Sequence, residues 1–349
     1  MISATESIPI WNTFKTGRCH SISKSFSELR SKFCFKLDKK TDHRATLEQS
    51  INFTLRYFEL FNYPLQASEI HRFLDVKCSL SDVEEYLLTL KNSDTIFQSE
   101  QGFYSRLQQP GWSVERQNGK QRAELLLRKS TRFVRIMKRF PFVDGIGISG
   151  SLSKYYADKD ADIDYFIITR TNRLWIARTL LHLYKKFTFL RGHQDYYCMN
   201  FFVDQSALEI IQKNVFTAIE LVTLIPVYQL ENIIQLKKQN SWILKLLPNT
   251  DFVEDERFLI PTDTEFLKSG IEKLFNIFWP ERLNRFLMQL TDRKWRAKWR
   301  RKSFPMEQYD DAMYTSLHVS KNHPANYQEQ VLNALKNKQK LIPQPTCLR

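Results

Sequence analysis

The segment from Gly145 to Ile168 constrains this chain more than any other. It runs Gly145-Ile-Gly-Ile-Ser-Gly150-Ser151, then ten residues, then Asp162-Ile163-Asp164 followed by the apolar run Tyr165 to Ile168. An apolar run that ends on Gly-Ser and a second that begins on two acids read as two strands, Phe142 to Ser149 and Asp162 to Thr169, joined by a short helix over Leu152 to Ala157. If the strands are antiparallel, the end of the first lies beside the start of the second. Acids two apart in a strand project from one face. A side-chain-free Gly150 lets backbone amides approach an anion closely, and Ser151 stands at the positive start of the following helix. Two carboxylates on one face repel unless a cation lies between them, and an oxygen-only ligand set suits Mg²⁺.

Two simpler readings of the same residues fail. Gly145, Gly147 and Gly150 satisfy the GxGxxG spacing of dinucleotide-binding folds, but there the acid closes the second strand, whereas Asp162 and Asp164 open it. A P-loop needs Gly-Lys-Ser/Thr, which the segment lacks.

The pattern resembles the signature of the DNA polymerase β-like nucleotidyltransferase superfamily, closest in style to its minimal and aminoglycoside-type members. The resemblance covers about Phe142 to Asp204. It implies that Gly150 and Ser151 hold the phosphates of a nucleoside triphosphate, with Lys154 adding charge. It implies further that Asp162 and Asp164 bind Mg²⁺ and serve catalysis. Active members place a third carboxylate on the next strand, read here as Tyr196 to Val203. The central polar residue of that strand is Asn200, which can ligate or orient but cannot act as a general base. Asp204 lies at the far end of the same strand. The expected reaction is transfer of a nucleoside monophosphate to an unidentified acceptor. The alternative is a catalytically degenerate nucleotide- or nucleic-acid-binding interaction protein.

The rest of the chain frames this segment as an α+β protein: a nucleotidyltransferase-type mixed sheet with helices, preceded by a winged-helix module and followed by a helical region. Residues 1–44 are Ser- and Lys/Arg-rich without sustained periodicity and read as a flexible basic tail, with a mitochondrial leader disfavoured by Glu6 and Glu28. Residues 45–110 order as three helices and a hairpin, the order of a winged helix. The third helix carries Asp82, Glu84 and Glu85, the wrong sign for a DNA groove, so a protein-contact role is expected. Residues 111–250 are assigned to the nucleotidyltransferase domain, with helices over Arg173 to Phe187 and Val215 to Pro226. Residues 251–349 form the basic helical region.

Lys plus Arg (52) against Asp plus Glu (38) leaves a net charge of +14, which favours phosphate-bearing partners. Seven of these cations fall in Arg293–Lys302 with no acid among them, marking the stretch that nucleic acid would contact. Its Trp295 and Trp299, four apart, are expected to dock on the protein. Five cysteines without a CxxC pair argue against a disulfide framework and for a reducing cytoplasm. No apolar run is long enough for a membrane span, since Glu220 interrupts the nearest, Val215 to Tyr228. His318 and His323, with Tyr309, Asp310 and Asp311, lack metal-ligand spacing and are expected to be surface residues.

Overall fold

Burial on both faces of one strand sets the architecture. In Asp164–Thr169, Phe166 and Ile168 turn to one apolar cluster while Tyr165 and Ile167 turn to another, so both faces of the sheet must be covered. The computed structural model describes residues 39–109, 111–189, 197–252, 254–262, 266–278 and 281–339. The chain divides into two units, Met1–Arg44 and Ala45–Arg349. The predicted basic tail lies outside the described residues up to residue 38. Apart from the first residues of α1, all described elements belong to the second unit.

Three helices open it: α1 (Lys39–Glu59), α2 (Ala67–Phe73) and α3 (Leu80–Asn92). Leu47, Ile51, Leu55 and Phe58 are buried along α1, as their spacing predicts. Ser79 caps α3 reciprocally: its hydroxyl accepts from the Asp82 amide at 3.1 Å, and the Asp82 carboxylate accepts from the Ser79 amide at 2.9 Å. Asp82, Glu84 and Glu85 are all exposed on α3. A hairpin follows, β1 (Phe97–Gln98) paired antiparallel with β2 (Tyr104–Ser105), and Leu65 bridges to Tyr104. The long helix α4 (Trp112–Met137) then leads to the sheet.

The sheet has five strands in the order β6-β3-β4-β5-β7. They are β3 (Val143–Ile148), β4 (Asp164–Thr169), β5 (Cys198–Asp204), β6 (Ile225–Tyr228) and β7 (Val319–Lys321). β3 is antiparallel to β4 and β6, β4 is parallel to β5, and β5 is antiparallel to β7. The described residues thus make a mixed α+β structure with twelve helices around a five-stranded mixed sheet. The helices between and after the strands are α5 (Leu174–Phe189), α6 (Val215–Thr223), α7 (Leu230–Gln239), α8 (Ile243–Leu246), α9 (Phe266–Phe278), α10 (Glu281–Arg301), α11 (Tyr309–Ala312) and α12 (Tyr327–Gln339).

Two sequence expectations change. The connector after Gly150 is a single 3-10 turn, Leu152–Lys154, rather than a helix to Ala157. The run Val215 to Pro226 is a helix to Thr223 followed by a strand. Pro226 pairs with Gly147 on the edge strand β6, where a missing N–H is tolerated. The other edge strand, β7, has too little periodicity to be read from three residues. Gly145 and Gly147 lie within β3 and serve packing: a Cβ at 145 would lie 3.1 Å from Ile168, and one at 147 would lie 2.8 Å from Leu224. With β3 antiparallel to β4, the dinucleotide reading of these glycines has no parallel βαβ unit to stand on.

Apolar packing continues through the positions 110 and 250 where composition suggests boundaries. One cluster joins Leu47 to Tyr104 with Phe166, Ile168, Ile219 and Leu236, and a second joins Leu127 of α4 with Ile146, Trp175 and Ile260. Among the described residues no helix is long and apolar enough to cross a membrane.

Candidate active site

Gly150 leaves β3 with φ +70°, and its missing side chain is filled by a neighbour: a Cβ there would lie 2.7 Å from Asp164 Oδ2. The antiparallel register creates this proximity, since Ile148 pairs with Tyr165 and the Ser149 amide donates to the Asp164 carbonyl at 3.0 Å. Asp162 is exposed just before β4, Ile163 between the acids is fully buried, and Asp164 is half-buried. The Gly-Ser corner and Asp164 are therefore at one place, with Asp162 two residues before it in the chain.

The corner is held from behind. Ser153 Oγ donates to the Gly150 carbonyl at 2.8 Å, and Lys154 Nζ donates to the same carbonyl at 2.9 Å. Tyr63 OH donates to the Lys154 carbonyl at 2.5 Å, and Arg116 Nη1 to the Tyr155 carbonyl at 3.1 Å. Arg116 is itself buried, with its guanidinium 4.0 Å from the Tyr63 ring centroid and 2.9 Å from Glu69. The three-helix module and α4 thus fix the turn that carries Ser151 and Lys154. Ser151 is exposed, and its hydroxyl does not cap the turn.

Sequence reasoning passed over two residues of this site. Glu220, from α6, accepts from the Gly150 amide at 3.1 Å through Oε2 and pairs with Lys154 Nζ at 2.7 Å through Oε1. A lone acid in the apolar run Val215 to Tyr228 was its signal, since a carboxylate is seldom placed on an otherwise apolar helix face without a partner. The second is Cys198, which lies opposite Asp164 in the β4–β5 register, while Asn200 occupies the irregularity where the register shifts. The Asn200 amide approaches Asp164 Oδ1 at 3.4 Å, a long contact, and the Cys198 sulfur at 2.9 Å.

These neighbours set the protonation of the site. Burial, aided by the Asp162 and Glu220 charges and opposed by the Cys198 thiol and Lys154, lifts the Asp164 carboxyl from 3.8 to about 6. Burial and the Asp164 charge push the Cys198 thiol up to about 12, so it stays protonated at neutral pH. His323 is held down at about 4, chiefly by burial and then by Lys321, although Glu220 opposes the shift. It lies against the Phe201 ring, with centroids 6.2 Å apart, rather than on the surface as its sequence context suggested. Tyr309 is likewise fully buried.

Asp204, at the far end of β5, belongs elsewhere. It is fully buried and accepts from the Asn172 and Ser206 amides at 2.9 and 3.0 Å and from His318 Nδ1 at 2.7 Å. Those bonds tie loop backbone to the sheet's end. Although Ser206, His318 and Asp204 are in contact, Ser206 Oγ meets the same Nδ1 that faces Asp204, at 3.1 Å, so the arrangement is not a nucleophile–base–acid relay.

Compared with known proteins, the chain matches no family model, no curated protein and no solved structure.

Chemically, the site combines a tight backbone corner with one amide and one ammonium aimed at a carboxylate, and a crowded pair of acids beside them. Among the described residues there is no group of three or more His, Cys, Asp or Glu side chains placed to hold a metal ion. Asp162 and Asp164 offer a two-carboxylate set, which is what a hard cation that keeps water and phosphate as its other ligands uses.

Proposed function

We propose that this protein transfers a nucleoside monophosphate from a nucleoside triphosphate to an acceptor, as a nucleotidyltransferase-type domain preceded by a winged-helix-like module. One observation carries the reading: Gly150, at positive φ, lies against the carboxylate of Asp164, so the Gly-Ser corner and the second acid of the pair face the same space. The three helices and hairpin of residues 45–105, and the acidic exposed face of α3, support a module that contacts protein rather than a DNA groove.

The donor set fits Mg²⁺. Asp164 is raised by burial, by Asp162 and by Glu220, a crowding of negative charge that a bound cation relieves. Asp162 and Asp164 would hold it, and it would supply charge neutralisation for the polyphosphate. The protein's own groups do the remaining work. The Gly150 amide and Lys154 ammonium, which hold Glu220 at 3.1 and 2.7 Å, are the donors a triphosphate would take over. Ser151 stands exposed beside them to orient it. Asn200 steadies Asp164 from β5. In the transfer, the acceptor oxygen bonds to the α-phosphorus as the bond to the bridging oxygen breaks, and pyrophosphate leaves.

A second reading, nucleotide binding without turnover, is favoured by one fact. The two β5 residues beside Asp164 are Cys198 and Asn200, a protonated thiol and an amide, and neither accepts a proton from a hydroxyl near neutral pH. The test separates the two. Purified protein is incubated with each of the four nucleoside triphosphates, Mg²⁺ and cell extract, and pyrophosphate release and nucleotide adducts are measured. Release that disappears in Asp162→Asn with Asp164→Asn supports transfer. Mg²⁺-dependent binding by calorimetry without release supports the second reading, and absence of both sinks the site.

A further inference from the structure

The helix α9 is inside out. Two of its three charged residues face the protein, Lys273 alone being exposed: Lys268 is 9% exposed and donates to the carbonyls of Lys138 and Val143 at 2.8 and 2.6 Å. Glu272, 3% exposed, accepts from the Phe142 amide at 2.7 Å and pairs with Arg170 at 2.7 Å. These bonds satisfy the backbone at the end of α4 and the start of β3, so the orientation of α9 is fixed by buried polar contacts. The opposite face of the helix is in water, and its largest exposed side chains are apolar, with Ser269, Lys273 and Asn276 standing between them. Phe266, Leu267, Leu274 and Ile277 are 85%, 81%, 52% and 72% exposed.

The next helix continues this surface. In α10, Leu283, Leu287 and Met288 rest on the same core cluster as Phe275 of α9, while Phe286 and Leu290 are exposed on the outer side. At helical spacing the stripe through 286 and 290 passes to Arg293, Ala297 and Arg300–Arg301. Arg293, Lys294, Lys298, Arg300, Arg301 and Lys302 are all exposed, and Lys294, Lys298, Arg301 and Lys302 rim one shallow depression. Trp295 and Trp299 instead turn inward, to the cluster of Tyr309, Ala312 and Met313. Of the acids of α9 and α10, Glu272 is buried as above, Asp292 pairs with Arg296 at 3.0 Å, and Glu281, exposed at the start of α10, accepts from the Asn172 side-chain amide at 2.8 Å. The outer face therefore presents apolar side chains and positive charge together.

We infer that the outer face of α9 and α10 seats this protein on an anionic lipid surface. Exposed Phe, Leu and Ile beside clustered Lys and Arg are the composition that lies in a membrane interface, apolar groups in the acyl boundary and cations at the headgroups. Nucleic acid would use the cations, but its phosphate backbone offers nothing to Leu267, Leu274 and Ile277. A second copy packed on the same face would bring these cations against their equivalents. The chain's own first 44 residues carry nine Lys/Arg against four Asp/Glu, a net charge of the same sign as these cations. The inference does not depend on the nucleotidyl-transfer reading.

The test is co-sedimentation of the full chain with vesicles of phosphatidylcholine alone and with added phosphatidylglycerol. Binding is expected only to the anionic vesicles, and to weaken with salt. Arg293→Ser with Arg301→Ser should weaken it by roughly fivefold per cation removed, the value of about 1 kcal/mol each near such a surface. Phe266→Ser with Ile277→Ser should abolish what remains above the electrostatic background, with the circular dichroism spectrum unchanged. No pelleting with anionic vesicles overturns the inference. So does pelleting that both variants retain, or salt-sensitive binding to RNA by a protein that ignores the vesicles.

Discussion

Gly150 and Asp164 occupy one van der Waals space: the carboxylate oxygen Oδ2 sits 2.7 Å from where a Cβ of residue 150 would be. This contact joins the end of β3 to the start of β4. It also makes residue 150 a test of two separable effects, backbone conformation and steric exclusion.

Gly150→Ala should destabilise the fold by more than Gly102→Ala. Both glycines have positive φ, +70° and +78°, but nothing lies within 4 Å of a Cβ at 102. The hairpin variant should lose only the left-handed preference, about 1 kcal/mol. The site variant must in addition displace the Asp164 carboxylate. Urea denaturation of the two measures the difference, and equal losses would mean that the carboxylate moves aside without resistance.

Asp164 makes stability fall as pH rises from about 4 to about 6. Its carboxyl titrates near 6 in the fold against 3.8 ordinarily, chiefly through burial. Below the lower value it is protonated in both states. Between the two values only the unfolded chain ionises, and that favours unfolding. Above about 6 the loss is complete, on the order of 2–3 kcal/mol. Asp164→Asn should remove this slope in denaturation curves taken across the window. Mg²⁺ added above pH 6 should stabilise the wild type and not the variant.

Glu220→Gln should tighten triphosphate binding severalfold. The carboxylate occupies the Gly150 amide and Lys154 ammonium at 3.1 and 2.7 Å, so its charge competes with a phosphate for the same donors. Removing that charge also lowers the Asp164 midpoint, to which Glu220 contributes. Calorimetry with ATP and an infrared carboxyl titration report the two effects. Weaker binding in the variant would instead mark Glu220 as part of the Mg²⁺-holding set.

Lys237→Met should cost roughly 3–5 kcal/mol, because it strands a buried charge. Lys237 is 2% exposed and pairs with Glu254 at 2.7 Å, while also donating to the Leu224 carbonyl at 3.1 Å. Adding Glu254→Leu should recover most of the loss. A double variant no more stable than the single would assign the cost to the Leu224 carbonyl rather than to the pair.

Local pattern carried the α1 core face, the hairpin and the strand pair β3–β4, because each depends on residues a few positions apart. It also singled out Gly150, Ser151, Lys154, Asp162, Asp164 and Asn200 as residues to watch. Tertiary structure alone put Glu220 into that group from about seventy residues away, aligned Cys198 rather than Asn200 with Asp164, and left only one 3-10 turn between the strands. It also turned Lys268 and Glu272 inward and left Phe266, Leu267 and Ile277 outside. Periodicity tells which residues share a face; which face meets the core depends on what the rest of the chain offers it. For α9 the offers were the Lys138 and Val143 carbonyls, which accept from Lys268, and the Phe142 amide, which donates to Glu272.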